Sequence, residues 1–189
     1  MPRPLRFLPA GSVQHVTNRG NDKRILFEST RDYEHFLKLI AWSKRRAMIR
    51  IIAYVLMRNH WHFVLWPEAD GQVQEFLHRL TTTHAIHRRR ITCTVGEGHI
   101  YQDRYHAKGI FTERYYINVV SYVEANPLRA NLVSAAEKWR WSSLYERLGH
   151  SRGLLDDGPM PLPDNWLEIV NACQPQEVID EIRRDLLKH

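Results

Sequence analysis

Two apolar runs that meet at a two-residue turn constrain this chain more than any other feature. Residues 49–57 and 60–66 are rich in β-branched and aromatic side chains, and Arg58-Asn59 between them suits a tight hairpin. Both faces of both runs are apolar, which predicts paired strands in the middle of a sheet with other layers on each side. Pro67, which cannot donate to a ladder, ends the second run.

The rest of the chain supplies the layers. Residues 12–17 read as a first strand, followed by a polar turn at Asn18-Arg19-Gly20-Asn21-Asp22. Ser29-Thr30 offers caps for a helix over 31–47, in which Phe36, Leu37, Ile40 and Ala41 recur at helical spacing. A second helix is expected over 72–91, with its cations at the C-terminal end where they complement the helix dipole. A further strand lies within 100–111. Thr112-Glu113 opens a third helix that reaches about Ala125 and is ended by Asn126-Pro127. The order βα, ββ, α, β, α predicts an α+β fold, a ferredoxin-like sandwich of an antiparallel sheet with helices packed on it. Residues 1–150 would form the main domain, and 151–189 a linker, turn-rich over 153–164, with a short helical C-terminal tail over 166–172 and 176–188.

Composition narrows the class of partner. Among 189 residues, 27 Lys and Arg outweigh 21 Asp and Glu, giving a net charge of +6 that suits a polyanion such as nucleic acid. The cations cluster at Lys44-Arg45-Arg46 with Arg50 and at Arg88-Arg89-Arg90, although either run also reads as a solvated helix end. Cys93 and Cys173 lack the paired spacing of a zinc site or disulfide framework, and no long apolar run marks a signal or membrane span. A cytoplasmic, nucleoid-associated protein is the expectation.

Candidate chemistry sits in two places. Side chains two apart on a strand share a face, so His60 and His62 project together while Trp61 points away, a spacing that suits two imidazoles sharing one metal. A pair of hydrogen-bonded surface histidines fits the same spacing. On the third helix Tyr116, Val119, Val120 and Val123 form an apolar stripe, which leaves Tyr115, Asn118, Tyr122 and Asn126 off it. Tyr122 and Asn126 are one turn apart and can face one point, though an edge tyrosine beside an asparagine cap would look the same.

The segments MRNHWHFVLWP (57–67) and SYVEANPLRANLV (121–133) resemble the paired signatures of single-tyrosine HUH transposases, in particular the bacterial REP-associated tyrosine transposases. HVTNRGNDKRILF (15–27), YQDRYHAK (101–108) and WSSLYERLG (141–149) extend the resemblance over roughly residues 12–150. It implies His60 and His62 as metal ligands and Tyr122 as nucleophile. Asn126 stands where related insertion-sequence transposases carry a glutamine third ligand. It implies a divalent metal, Mg²⁺ with Mn²⁺ able to substitute, and a single-stranded DNA partner bearing a stem-loop. The activity implied is endonuclease and strand transfer through a 5′-phosphotyrosine, and a homodimer is one assembly found among relatives. Arg19, Arg88, Arg89, Arg90, Arg104, Lys108 and Arg129 are candidate phosphate contacts. Trp139, Trp141 and Trp166 are candidates either for stacking on bases or for the core.

Two other readings remain open on sequence alone. A ferredoxin-like nucleic-acid-binding module would use sheet aromatics such as Trp61 and Phe63 for stacking and leave the histidines structural. A metal-dependent hydrolase would activate water and need no tyrosine.

Overall fold

The computed structural model describes residues 9–93, 98–172 and 174–187. In chain order these form β1 (Val13–Arg19), α1 (Thr30–Ala47), β2 (Arg50–Met57), β3 (His60–Trp66), α2 (Gln72–Ile91), β4 (His106–Ile110) and α3 (Glu113–Glu124). After them come α4 (Asn126–Arg129), α5 (Ser143–Arg147), α6 (Trp166–Asn171) and α7 (Gln176–Leu187). The described strands make one antiparallel sheet in the order β2-β3-β1-β4. That is the ferredoxin-like arrangement the element order predicts, with β3 and β1 at its centre; of the hairpin expected in the middle of the sheet, β2 stands at one edge.

The alternation of each strand divides the molecule into two cores. Val16, Tyr54, Leu56, Trp61, Phe63 and Leu65 face α1 and α2, where Phe36, Ile40, Phe76 and Leu80 fill the space. Val13, Val55, Met57, Val64 and Ile110 face the other way, against Val119, Val120 and Val123 of α3. The sheet is thus a middle layer, so both faces of the hairpin are covered even though β2 is an edge strand, which explains its apolar character. Each such fully buried side chain contributes roughly 1.5–3 kcal/mol.

Local chemistry fixes the elements. Ser29 and Asp32 form a reciprocal capping box at the start of α1, and Thr112 caps α3 through the Tyr115 amide. The first strand runs two residues past the expected 12–17, because Asn18 and Arg19 pair with Trp61 and His60 of β3. Gly20 then turns the chain; a Cβ there would collide with the Arg24 carbonyl oxygen.

The C-terminal part packs on the α3 face. Residues 153–164 form no helix or strand, yet Leu154 joins the first core and Met160 and Leu162 pack on the second, so the segment passes around the β2 edge. There the Asp156 amide donates to the Ile51 carbonyl at 2.9 Å. Trp166, Val170, Ile179, Ile182 and Leu186 then complete the second core. The fully buried Glu124 carboxylate ties three helices together by accepting from Ser143, from Arg147 at 2.9 Å and from the Trp166 indole at 2.7 Å. No described helix is long and apolar enough to cross a membrane. Cys93 is exposed, while Cys173 and Lys188, the end expected for the last helix, lie outside the described residues.

Candidate active site

His60 and His62 lie on β3, on the sheet face turned toward α3, as a period of two requires. Their rings stand 5.2 Å apart and nearly perpendicular. Tyr122, from the underside of α3, is 4% exposed and sets its ring edge-on to His62 at 5.8 Å. Both histidines and the tyrosine line one cleft of about 550 Å³, together with Arg19, Gln102 and Arg183.

The two imidazoles are held from behind. His60 Nδ1 is 2.8 Å from the Asn59 side-chain oxygen, and His62 Nδ1 is 3.0 Å from Nε2 of His15 on the neighbouring β1. Each ring therefore keeps Nε2 free of any hydrogen-bonding protein group among the described residues. Burial, aided by the cations of Arg19 and Arg129, holds His60 down at about 4. Burial, then the neighbouring His15, His60 and Arg129, holds His62 well below the ordinary histidine value. Both rings are neutral at physiological pH, the state a metal ligand needs.

A divalent cation fits these donors: two neutral imidazoles with oriented Nδ1 atoms and free Nε2 atoms are the usual protein half of such a site. Among the described residues no three His, Cys, Asp or Glu side chains converge on one point. Further ligands would come from water or substrate oxygens.

Asn126 is buried four residues beyond Tyr122 and is not among the residues that line the cleft. Helix α3 ends at Glu124; Ala125 keeps right-handed helical dihedrals at φ −80° and ψ −5° and donates to the Ser121 carbonyl, and Asn126 opens α4. Tyr115 also lies away from the cleft. Its hydroxyl donates to Asp185 at 3.3 Å, and burial with that carboxylate pushes its ionisation well above the ordinary tyrosine value.

The model of the IS200-like transposase family matches residues 12–126, more than half of the chain. This protein belongs to that family. A solved REP-associated tyrosine transposase, bound to a REP hairpin, shares 22% identity, with 87% of this chain and 94% of that one covered at a TM-score of 0.61. A candidate transposase from Deinococcus radiodurans shares 11% identity over 66% of this chain and 96% of its own, at a TM-score of 0.43. No curated protein matches the sequence significantly.

The transposase's other candidate residues divide by location. Arg19 is exposed at the end of β1, lines the cleft and bonds to Gln102. Arg129 lies over the Tyr122 ring at 3.9 Å and donates to the Tyr122 carbonyl at 3.2 Å, so it buttresses the helix that carries the phenol. Arg88 is buried away from the cleft, paired with Glu28 at 2.7 Å and Asp32 at 3.4 Å, and ties α2 to the start of α1. Arg89 bonds to the Gly98 carbonyl, Arg90 and Arg104 are exposed, and Lys108 faces Asp185 at 3.8 Å. Trp141 stacks on Tyr33 at 4.7 Å, Trp139 donates to the Leu56 carbonyl at 3.0 Å, and Trp166 is buried against Glu124, so all three are engaged within the protein.

Sequence reasoning missed His15, His106 and the α7 residues Arg183 and Leu186, all at the cleft or directly behind it. His15 and Thr17 share a strand face by the same period-two rule that singled out His60 and His62. Only the β1 to β3 register shows that this is the histidine face, because Thr17 lies opposite His62.

Proposed function

We propose that this transposase is a metal-dependent single-strand DNA endonuclease and strand transferase in which Tyr122 is the nucleophile. The observation that carries the reading is the packing of Tyr122 against His62 in a cleft that also holds His60 and Arg19. His60 and His62 would hold a divalent cation, Mg²⁺ or Mn²⁺. When bound, it would neutralise a non-bridging oxygen of the scissile phosphate and orient that group. Asn126, four residues after Tyr122, is the candidate third ligand through its amide oxygen.

The chain's own residues do the rest. The Tyr122 oxygen bonds to phosphorus, the bond from phosphorus to the 3′ oxygen breaks, the phenol loses its proton and the departing oxygen gains one. The strand's 5′ end is thereby stored as a phosphotyrosine, and a 3′ hydroxyl is freed to reverse the step or join another strand. Arg19 at the rim is placed to meet a flanking phosphate. A stem-loop in single-stranded DNA is the proposed partner, in keeping with the hairpin bound to the solved REP-associated relative.

The binding-module alternative loses its basis, because Trp61 and Phe63 are both 0% exposed beneath α1 and α2 and cannot stack on bases. The test is incubation of labelled stem-loop DNA with protein and Mg²⁺ or Mn²⁺, then denaturing electrophoresis. A covalent protein–DNA adduct is expected with wild type. Cleavage with no adduct would favour a water-activating hydrolase instead.

A further inference from the structure

We infer that His15 is the positioning residue for His62: it holds the His62 ring by its Nδ1, accepts from Nδ1–H when a cation is bound, and so turns Nε2 to the cleft. The inference rests on the metal reading of His60 and His62 and goes beyond it by giving a role to a residue on another strand.

Three observations carry it. His15 is completely buried, and its Nε2 shares a hydrogen bond with Nδ1 of His62 at 3.0 Å. Its other ring nitrogen, Nδ1, is buried with no partner among the described residues. A buried polar atom without a partner is a cost that a strand position could avoid with valine or leucine, so the imidazole is not explained by the stability of β1. Finally, the His15 ring packs at 5.2 Å on His62 and edge-on at 5.9 Å on Tyr122, so it lies against both the ligand and the nucleophile.

The chemistry follows from the two nitrogens of a neutral imidazole, of which one carries the proton and the other the lone pair. A cation on His62 Nε2 requires the proton on Nδ1, and Nδ1–H then donates to the His15 Nε2 lone pair. In the opposite arrangement His15 donates, His62 carries its proton on Nε2, and an N–H faces the cleft where a ligand lone pair is needed. In the metal-bound arrangement His15 accepts from His62 Nδ1–H as the Asn59 side-chain oxygen accepts from His60 Nδ1–H. Such partners behind a metal-binding histidine alter metal affinity by about 10–100-fold when removed.

The test measures Mn²⁺ binding by calorimetry on the full-length protein without DNA, for wild type, His15→Phe, His15→Leu and His15→Gln, with His62→Ala as reference. Neither Phe nor Leu can accept a hydrogen bond, and both should weaken Mn²⁺ binding by about 10–100-fold. Gln carries an amide oxygen that can accept from Nδ1–H and should restore most of the affinity. Thermal melts identify which variants are folded, and having two apolar replacements covers the loss of either. Wild-type affinity in His15→Phe or His15→Leu, with binding still lost in His62→Ala, would overturn the role of His15. A Gln variant as weak as the apolar ones would also overturn it, by showing that ring shape and not the hydrogen bond matters. Undiminished binding in His62→Ala would instead remove the metal reading itself, so the two failures are distinguishable.

Discussion

At the scale of single residues, the two tyrosines of α3 separate cleanly. Tyr122 lines the cleft and Tyr115 is bonded to Asp185, so Tyr122→Phe should abolish the covalent adduct while Tyr115→Phe retains it. Denaturing gels of both variants with stem-loop DNA check this, and an adduct persisting in Tyr122→Phe would move the nucleophile elsewhere. His60→Ala removes one of two oriented imidazoles and should lower Mn²⁺ affinity roughly tenfold or more, as read by calorimetry. Stem-loop binding without metal should survive, because the imidazoles are neutral and contribute no charge to phosphate attraction.

At the scale of elements, α3 is the hinge between site and scaffold. One of its faces builds the second core, Tyr122 reaches the cleft, and Glu124 near its end is held by α5 and α6. The Glu124 carboxylate is fully buried, so Arg147→Met would strand a charge in the interior. Such a loss costs about 3–5 kcal/mol. Denaturant titration should show it as a lower midpoint with an unchanged slope. The turn after β1 is equally constrained: Gly20→Ala forces a Cβ onto the Arg24 carbonyl and should displace the strand end that carries Arg19. Weaker stem-loop binding with the core intact is the expected result, measured by gel shift beside a thermal melt.

At the scale of the whole molecule, buried histidines make stability depend on pH. Burial holds His15 and His84 down to about 3 and His60 to about 4, against the ordinary 6.5 of an unfolded chain. These groups are neutral in the fold but charged in the unfolded state below about 6.5, so the unfolded state binds more protons there and stability falls as pH falls. Melts of the metal-free protein should therefore show Tm falling steadily from pH 7 toward pH 4, and a flat profile would refute the neutral-histidine assignment. The excess of cations, net +6, adds a second global property: affinity for any DNA should drop as salt rises. The preference for single-stranded over duplex DNA should persist, since a stiff duplex must unstack to present one phosphate to a cleft.

Periodicity is local, and so the residues themselves determined the hairpin, the three main helices, the shared face of His60 and His62, and the apolar stripe of α3 beside Tyr122. Matching signatures in a fixed order gave the family and the ferredoxin-like sheet. Register and packing are not local. That His15 lies behind His62 depends on how β1 pairs with β3, and a slip of one residue would put it on the other face. That Arg88 is tied to Glu28 and Asp32 depends on how α2 packs on α1, which a run of three arginines does not reveal. The return of α7, which brings Arg183 and Leu186 to the cleft that Tyr122 lines, was likewise decided by tertiary structure. It depends on the burial of Ile179, Ile182 and Leu186 in the second core.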